Sequence, residues 1–276
     1  MDDQDFAAAA APDCGDDCGD RCSAMEAAAD AADRMGFSCA GGQPNLLQLR
    51  HREFVPLAAT NSQSWALAEH LNKPFSSPDD LLEEITNWSK ANSPPKHIKY
   101  LLTAVRQNSE VSPKFSGDAD VLIRTMFCAG DDDPVAAVAQ HCDATRVSLV
   151  ARACALFTCL VVASLARGVP LTPDIVAFPF DSAKKGLSGV RYDEFLKAVS
   201  VRALDDIESW WSGAAAATGG FMWALRGLLA ARASGQRPNF NRMIRDLAVR
   251  GGDSASNCAI VGALLSVCDC EPEYSD

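Results

Sequence analysis

The stretch ACALFTCLVVASLA, residues 153 to 166, carries no charged side chain, and Arg152 stands at its edge. It falls short of the roughly 20 apolar residues that cross a bilayer comfortably. A helix of this kind is satisfied only as a buried core helix. The rest of the chain must therefore supply partners to cover it.

The partners read as helices. SWALAEHL places Trp65, Leu67, Ala68 and Leu71 close to a three-four rhythm. SSPDDLLEEITNWSKA is a strong helix start. Ser77 can cap it, Pro78 fits its first turn, and Asp79 and Asp80 face the positive end of the dipole. Leu81, Leu82, Ile85 and Trp88 then form an apolar stripe. PPKHIKYLLTAVRQ, DPVAAVAQHC and RVSLVARACALFTCLVVASLARG predict three more, the last ending with Gly168 just beyond its terminus. YDEFLKAVSVRALDDIESWW, GGFMWALRGLLAARASG and PNFNRMIRDLAVRGG continue the series, and a final helix begins near Ser254. The best strand candidate, DIVAFPF, is interrupted by Pro179. No fixed-period repeat occurs. The expected class is all-α, a compact multi-helical domain over residues 41–270.

Residues 1–40 are rich in Ala, Asp, Gly and Cys and poor in large apolar side chains, so they can bury little surface. They predict a disordered tail, with one helix over Ala24–Met35. Residues 271–276 form a short acidic tail. Within the first tail, Cys14, Cys18 and Cys22 recur at steps of four. Zinc sites use closer pairs and a fourth ligand, so an oxidisable tail is the preferred reading. Cys154, Cys159 and Cys258 lie in apolar helical patterns and read as small hydrophobes. The formal net charge of −11 over 276 residues opposes nucleic-acid binding through the overall field. The acidic opening MDDQDF is unlike a signal peptide. The expectation is a soluble, non-membrane, cytoplasmic protein, with the nucleus left open.

The chemistry-bearing stretch is RGGDSASNCAIVGALL, residues 250 to 265. Gly251 and Gly252 permit close backbone approach. Asp253, Ser254 and Ser256 then stand at a helix start, where free N–H groups favour anions and oxygens can hold a hard cation. The plain alternative is that the glycines end one helix while Asp253 or Ser254 caps the next.

The stretch resembles the Gly-Gly-Asp-Thr-Asp-Thr motif of the ADP-ribosylglycohydrolase family. Four further segments resemble that family in the same order: TNSQSWALAEHL with the Trp-ended helix after it, GDADVLIRTM, DATRVSLVARACALFTCLVVASLARG, and TGGFMWALRGLLAA. The resemblance spans roughly Leu57 to Val267. It implies an all-α domain that hydrolyses a glycosidic bond to ADP-ribose. It also implies two magnesium or manganese ions held between an early Thr-Asp-Asp segment and the late Asp-x-Asp-Thr segment.

The match is partial. Thr60 fits the family threonine, but Asn61 and Ser62 stand where two aspartates are expected. Asp253 fits the first late aspartate, Ala255 replaces the second, and Ser256 replaces a threonine. Arg146 follows Thr145 where histidine is common, and Asp120 and Val121 disturb the glycine-rich loop, although Arg124 remains. Two divalent ions bring four positive charges, and one motif carboxylate cannot offset them. At most one weak ion is expected, near Thr60, Asp253 and Ser256. The candidate contacts to ADP-ribose are Arg124, Gly252 and Ser254, and the implied partner is ADP-ribose or an ADP-ribosylated protein. Three readings follow: a binder with little or no hydrolysis, an active hydrolase with a variant magnesium or manganese site, and a non-enzymatic scaffold.

Other acids offer no clear replacement. Asp131, Asp132 and Asp133 precede Pro134 and read as a capping, solvated turn. Asp205, Asp206 and Glu208 would divide between helix faces. Trp210 and Trp211 could stack on adenine but read more simply as core. His51, His70, His97 and His141 are isolated, and no triad can be nominated.

Overall fold

The computed structural model describes residues 62–111, 117–207, 213–249 and 254–268. Eleven α-helices occur among them, with no strand. They are α1 (Ser62–His70), α2 (Pro78–Ala91), α3 (Lys96–Arg106), α4 (Asp120–Met126), α5 (Pro134–Ala144), α6 (Leu149–Ala166), α7 (Ala177–Ala183), α8 (Gly189–Val199), α9 (Gly213–Ala233), α10 (Phe240–Val249) and α11 (Ser254–Val267). The tails, the Ala24–Met35 stretch, Cys14, Cys18, Cys22, His51, Glu208, Trp210 and Trp211 lie outside the described residues.

The apolar run becomes α6, and it is the hub. Helices α4, α5, α7, α8, α9 and α11 all pack on it. It is the one described helix long and apolar enough to cross a membrane, yet 13 of its 18 residues are buried by protein. Phe157 meets Phe195 of α8 and Phe221 of α9 edge-on, at centroid distances of 6.1 and 6.5 Å. Such pairs add stability beyond their buried area. Cys154, Cys159 and Cys258 are buried thiols, as their apolar surroundings predict. A smaller core of Leu67, Leu71, Leu81, Ile85, Ile98 and Leu101 joins α1, α2 and α3.

Helix ends follow the expected chemistry. The Ser77 hydroxyl accepts from the Asp80 amide at 3.2 Å, with Pro78 in the first turn of α2. Asp133 accepts from the Ala136 amide at 3.0 Å and caps α5. Gly168 takes φ +78° just past α6, and the Val169 amide donates back to the Ser164 carbonyl at 2.9 Å. That is a glycine-dependent helix stop.

Three boundaries differ from the sequence reading. The helix predicted from YDEFLKAVSVRALDDIESWW stops at Val199. Beyond it, the Asp206 carboxylate accepts from the Arg202 and Ala203 amides at 2.7 and 2.9 Å, so local side-chain bonds replace the helical ladder. The helix predicted to start at Gly219 instead starts at Gly213, and Gly219 and Gly220 lie within it. DIVAFPF forms a 3-10 turn and then α7, whose first turn accommodates Pro179.

Candidate functional site

The two motif segments lead into α1 and α11. Helix α4 touches both, and it also packs on α9. Its first residue, Asp120, is 7% exposed. The Asp120 carboxylate accepts the Ser64 hydroxyl of α1 at 2.5 Å. The Asp118 side chain in turn accepts the Asp120 amide at 3.2 Å. The segment that departs from the glycine-rich pattern thus places a buried acid against the second residue beyond Ser62. The Asp-Ala-Asp spacing before a helix was a visible cue to an N-terminal turn. The long-range bond to Ser64 was not visible, because nothing in sequence aligns α1 with α4.

The loop ahead of α4 is clasped from the other side. The Ala214 amide donates to the Gly117 carbonyl at 2.8 Å. Gly213 sits at φ +81°, and a Cβ there would stand 2.3 Å from that same oxygen. Only glycine allows this approach.

Arg124 lies one turn beyond Asp120 and is 1% exposed. Its Nη2 donates to the Thr145 hydroxyl at 3.0 Å, and that hydroxyl donates to the His141 carbonyl at 2.6 Å. The Nε2 of buried His97 lies 3.3 Å from the Thr145 carbonyl. Arg124 Nε and Nη1, and His141 Nδ1, have no hydrogen-bond partner among the described residues. Burial lowers the Arg124 pKa, and the Asp120 charge opposes that shift. Burial and the Arg124 charge together hold His141 at about 3, so its ring is neutral.

Arg146, which follows Thr145, is exposed and takes φ +51°. The Arg146 amide donates to Asp143 and the Val147 amide to Cys142, both at 3.2 Å. This is the Schellman pattern, with arginine in the place glycine prefers.

Ser62 opens α1 and Ser254 opens α11, with Ala255 next to it. Ser256 and Asn257 are buried, and Asn257 Oδ1 has no partner among the described residues. Thr60, Asn61, Gly251, Gly252 and Asp253 lie outside the described residues. Among the described residues, no group of three His, Cys, Asp or Glu side chains is arranged to hold a metal.

An all-helical domain, a core helix wrapped by six others, and a short helix joining the two motif-bearing helices form the setting for comparison with known proteins. No curated protein and no solved structure matches the chain. The family model for ADP-ribosylglycohydrolase matches residues 50–269. That span takes in every described helix and most of the sequence, and the chain belongs to the ADP-ribosylglycohydrolase family.

Proposed function

We propose that the chain is a divergent ADP-ribosylglycohydrolase whose metal pair no longer assembles, and which retains ADP-ribose binding with little or no hydrolysis. The donor set supports this reading. Asn61, Ser62 and Ala255 are neutral where the family pattern has acids, and Asp253 alone remains in the two motifs. Asp120, the buried acid beside α1, already accepts a hydrogen bond from Ser64. Magnesium is usually bound through one or two carboxylates, and two adjacent divalent ions repel strongly without acids between them. These residues do not fit a metal pair. They could hold one weak magnesium or manganese ion through Asp253, Thr60 and Ser256.

Anion binding needs less. The start of α11, a helix of 14 residues, offers free amides and a positive dipole end to a diphosphate. Gly252 allows the backbone to approach closely, and Ser254 stands beside it at the helix start. Arg124 is assigned no direct contact here. It is 1% exposed and sits behind a cleft beside the last turns of α1 and α4. Its bond to Thr145 instead fixes the turn that presents Arg146. The partner is ADP-ribose or an ADP-ribosylated protein, met in the cytoplasm.

Two assays separate the readings: calorimetry with ADP-ribose in the presence of a chelator, and release of ADP-ribose from a modified peptide in manganese. Binding without metal and without release supports the proposal. Manganese-dependent release would establish an active variant hydrolase. Absence of binding in either buffer would leave a scaffold.

A further inference from the structure

The formal charge of −11 is spread unevenly along the chain. Residues 1–40 hold 10 acids and 2 bases, and residues 269–276 hold 4 acids and no base. Residues 41–268 hold 22 acids and 23 bases, so the helical span by itself is close to neutral. Within it, the stretch from Ile85 to Ser109 carries four cations, Lys90, Lys96, Lys99 and Arg106, and no acid. The preceding acid, Glu84, is already held by Lys73 at 2.9 Å and by His70 at 2.6 Å.

Three of these cations fall on one side of α3. His97, Ile98, Leu101, Leu102 and Ala104 are buried against the body. The exposed residues Lys96, Lys99, Tyr100, Thr103 and Arg106 recur at steps of three and four, which confines them to about a third of the helix circumference. From Lys96 to Arg106 the strip is about 15 Å long. Lys99 and Arg106 have no ion-pair partner among the described residues. Tyr100, in their midst, is 43% exposed. Arg146 adds a further cation at the C-terminal end of the strip, where its Nη1 donates to the Ser109 carbonyl at 3.4 Å. Asp143, the acid beside that turn, is paired with Arg152.

Cations strung along a helix match a chain of negative charges better than one compact anion. An anionic membrane asks for several apolar side chains to insert, and Tyr100 is the one apolar residue of this arc. An acidic peptide would use the cations and leave the ring idle. A single-stranded nucleic acid uses both, with phosphates on the cations and a base stacked on the aromatic ring. We infer that the exposed face of α3 binds single-stranded nucleic acid, with Lys96, Lys99 and Arg106 meeting phosphates and Tyr100 meeting a base. The surface is local, so the overall charge weakens such binding without preventing it. The inference stands whether or not ADP-ribose binds elsewhere on the chain.

The test is fluorescence anisotropy of the full chain with labelled oligo(dT) and oligo(U) of about 20 nucleotides. The expected dissociation constant is about 1–100 µM at physiological salt. Three phosphate contacts predict a loss of about twentyfold in affinity between about 50 and 200 mM salt. The double variant Lys99→Gln/Arg106→Gln should weaken binding by about tenfold or more and cut that salt effect to about threefold. Tyr100→Ala should weaken binding by about fivefold or more and leave the salt effect unchanged, whereas Tyr100→Phe should keep the affinity. These positions are exposed, so circular dichroism and melting temperature should match those of the unmodified chain. Each of the following results would overturn the inference: no saturable binding by about 100 µM chain in low salt, full affinity in the Lys99 and Arg106 variant, or full affinity in Tyr100→Ala. Tighter binding of a DNA duplex, of polyglutamate or of phosphatidylserine vesicles would overturn it too, by assigning the face to another class of partner.

Discussion

Replacing Gly213 by alanine should cost about 2–4 kcal/mol, and the sum can be taken apart with two other glycines. Residue 213 holds φ +81°, a conformation that costs an alanine about 1–2 kcal/mol. The new Cβ would also stand 2.3 Å from the Gly117 carbonyl oxygen, a backbone atom with no rotamer to move. The loop before α4 must then shift. The 2.8 Å bond from the Ala214 amide is weakened or lost with it, a further loss of about 1–1.5 kcal/mol. Gly235 has φ +66° and nothing within 4 Å of where a methyl group would stand, so Gly235→Ala should cost the conformational part alone, about 1–2 kcal/mol. Gly220 lies inside α9, where an added Cβ meets Leu247 at 3.5 Å, an ordinary contact. Gly220→Ala should be neutral or stabilising by up to about 1 kcal/mol. Urea unfolding followed by circular dichroism measures all three. In thermal melts the Gly213 variant should fall by about 5–15 °C. A Gly213→Ala cost no greater than that of Gly235→Ala would refute the clasp between the loop and α9.

Two further perturbations probe the turn and the histidine beside Arg124. Arg146→Gly relieves a left-handed φ at a helix stop and should stabilise the fold by about 1 kcal/mol in chemical denaturation, whereas an unchanged or lower midpoint would argue against that conformation. His141 is held neutral down to about 3, while the unfolded chain takes up the proton near 6.5. Its contribution to stability is therefore intact above 6.5 and is lost as pH falls, by about 1.4 kcal/mol per unit, or about 2 kcal/mol between pH 6.5 and 5. His141→Leu should remove that slope from the stability profile, and an identical slope in both proteins would show the ring to be protonated in the folded state.

The legible part of the fold was local. ACALFTCLVVASLA announced a core helix because an apolar surface on all sides must be covered by other apolar surface, and α6 is that hub. Ser77, Pro78 and Gly168 marked helix ends because capping chemistry acts within a few residues. The break after Val199 was harder to read. Val201, Ala203 and Leu204 continue an acceptable helical pattern, and only the fold of Asp206 back onto Arg202 and Ala203 ends it. Gly219 and Gly220 looked like a helix start and proved to be interior, because packing of α9 on α11, with Leu247 and Asn257 close to Gly220, overrides their low propensity.

The site divides along the same line. The motif segments could be recognised from short patterns, and the family match over residues 50–269 agrees with them; that Asn61, Ser62 and Ala255 stand in place of acids belongs to the proposal. What those segments meet could not be read. Asp120 read as a disturbance of a loop, yet it bonds to Ser64 across 56 positions of sequence. Arg124 read as a ligand contact, and its bound partner is Thr145, supplied by the end of α5. The Asp131–Asp133 turn read as a cap and a solvated surface. Asp133 fills the first role, while the cleft behind Asp131 exists only once α1, α4 and α5 are packed.

The central claim is that charge, rather than fold, prevents a metal pair from assembling. Equilibrium dialysis against manganese, with metal counted per chain, tests it on the unmodified protein and on the triple variant Asn61→Asp/Ser62→Asp/Ala255→Asp. The account predicts at most one weakly held ion in the unmodified protein and clearly tighter uptake in the triple variant, with single replacements achieving less because both motifs must contribute. Two tightly held manganese ions in the unmodified protein would contradict it.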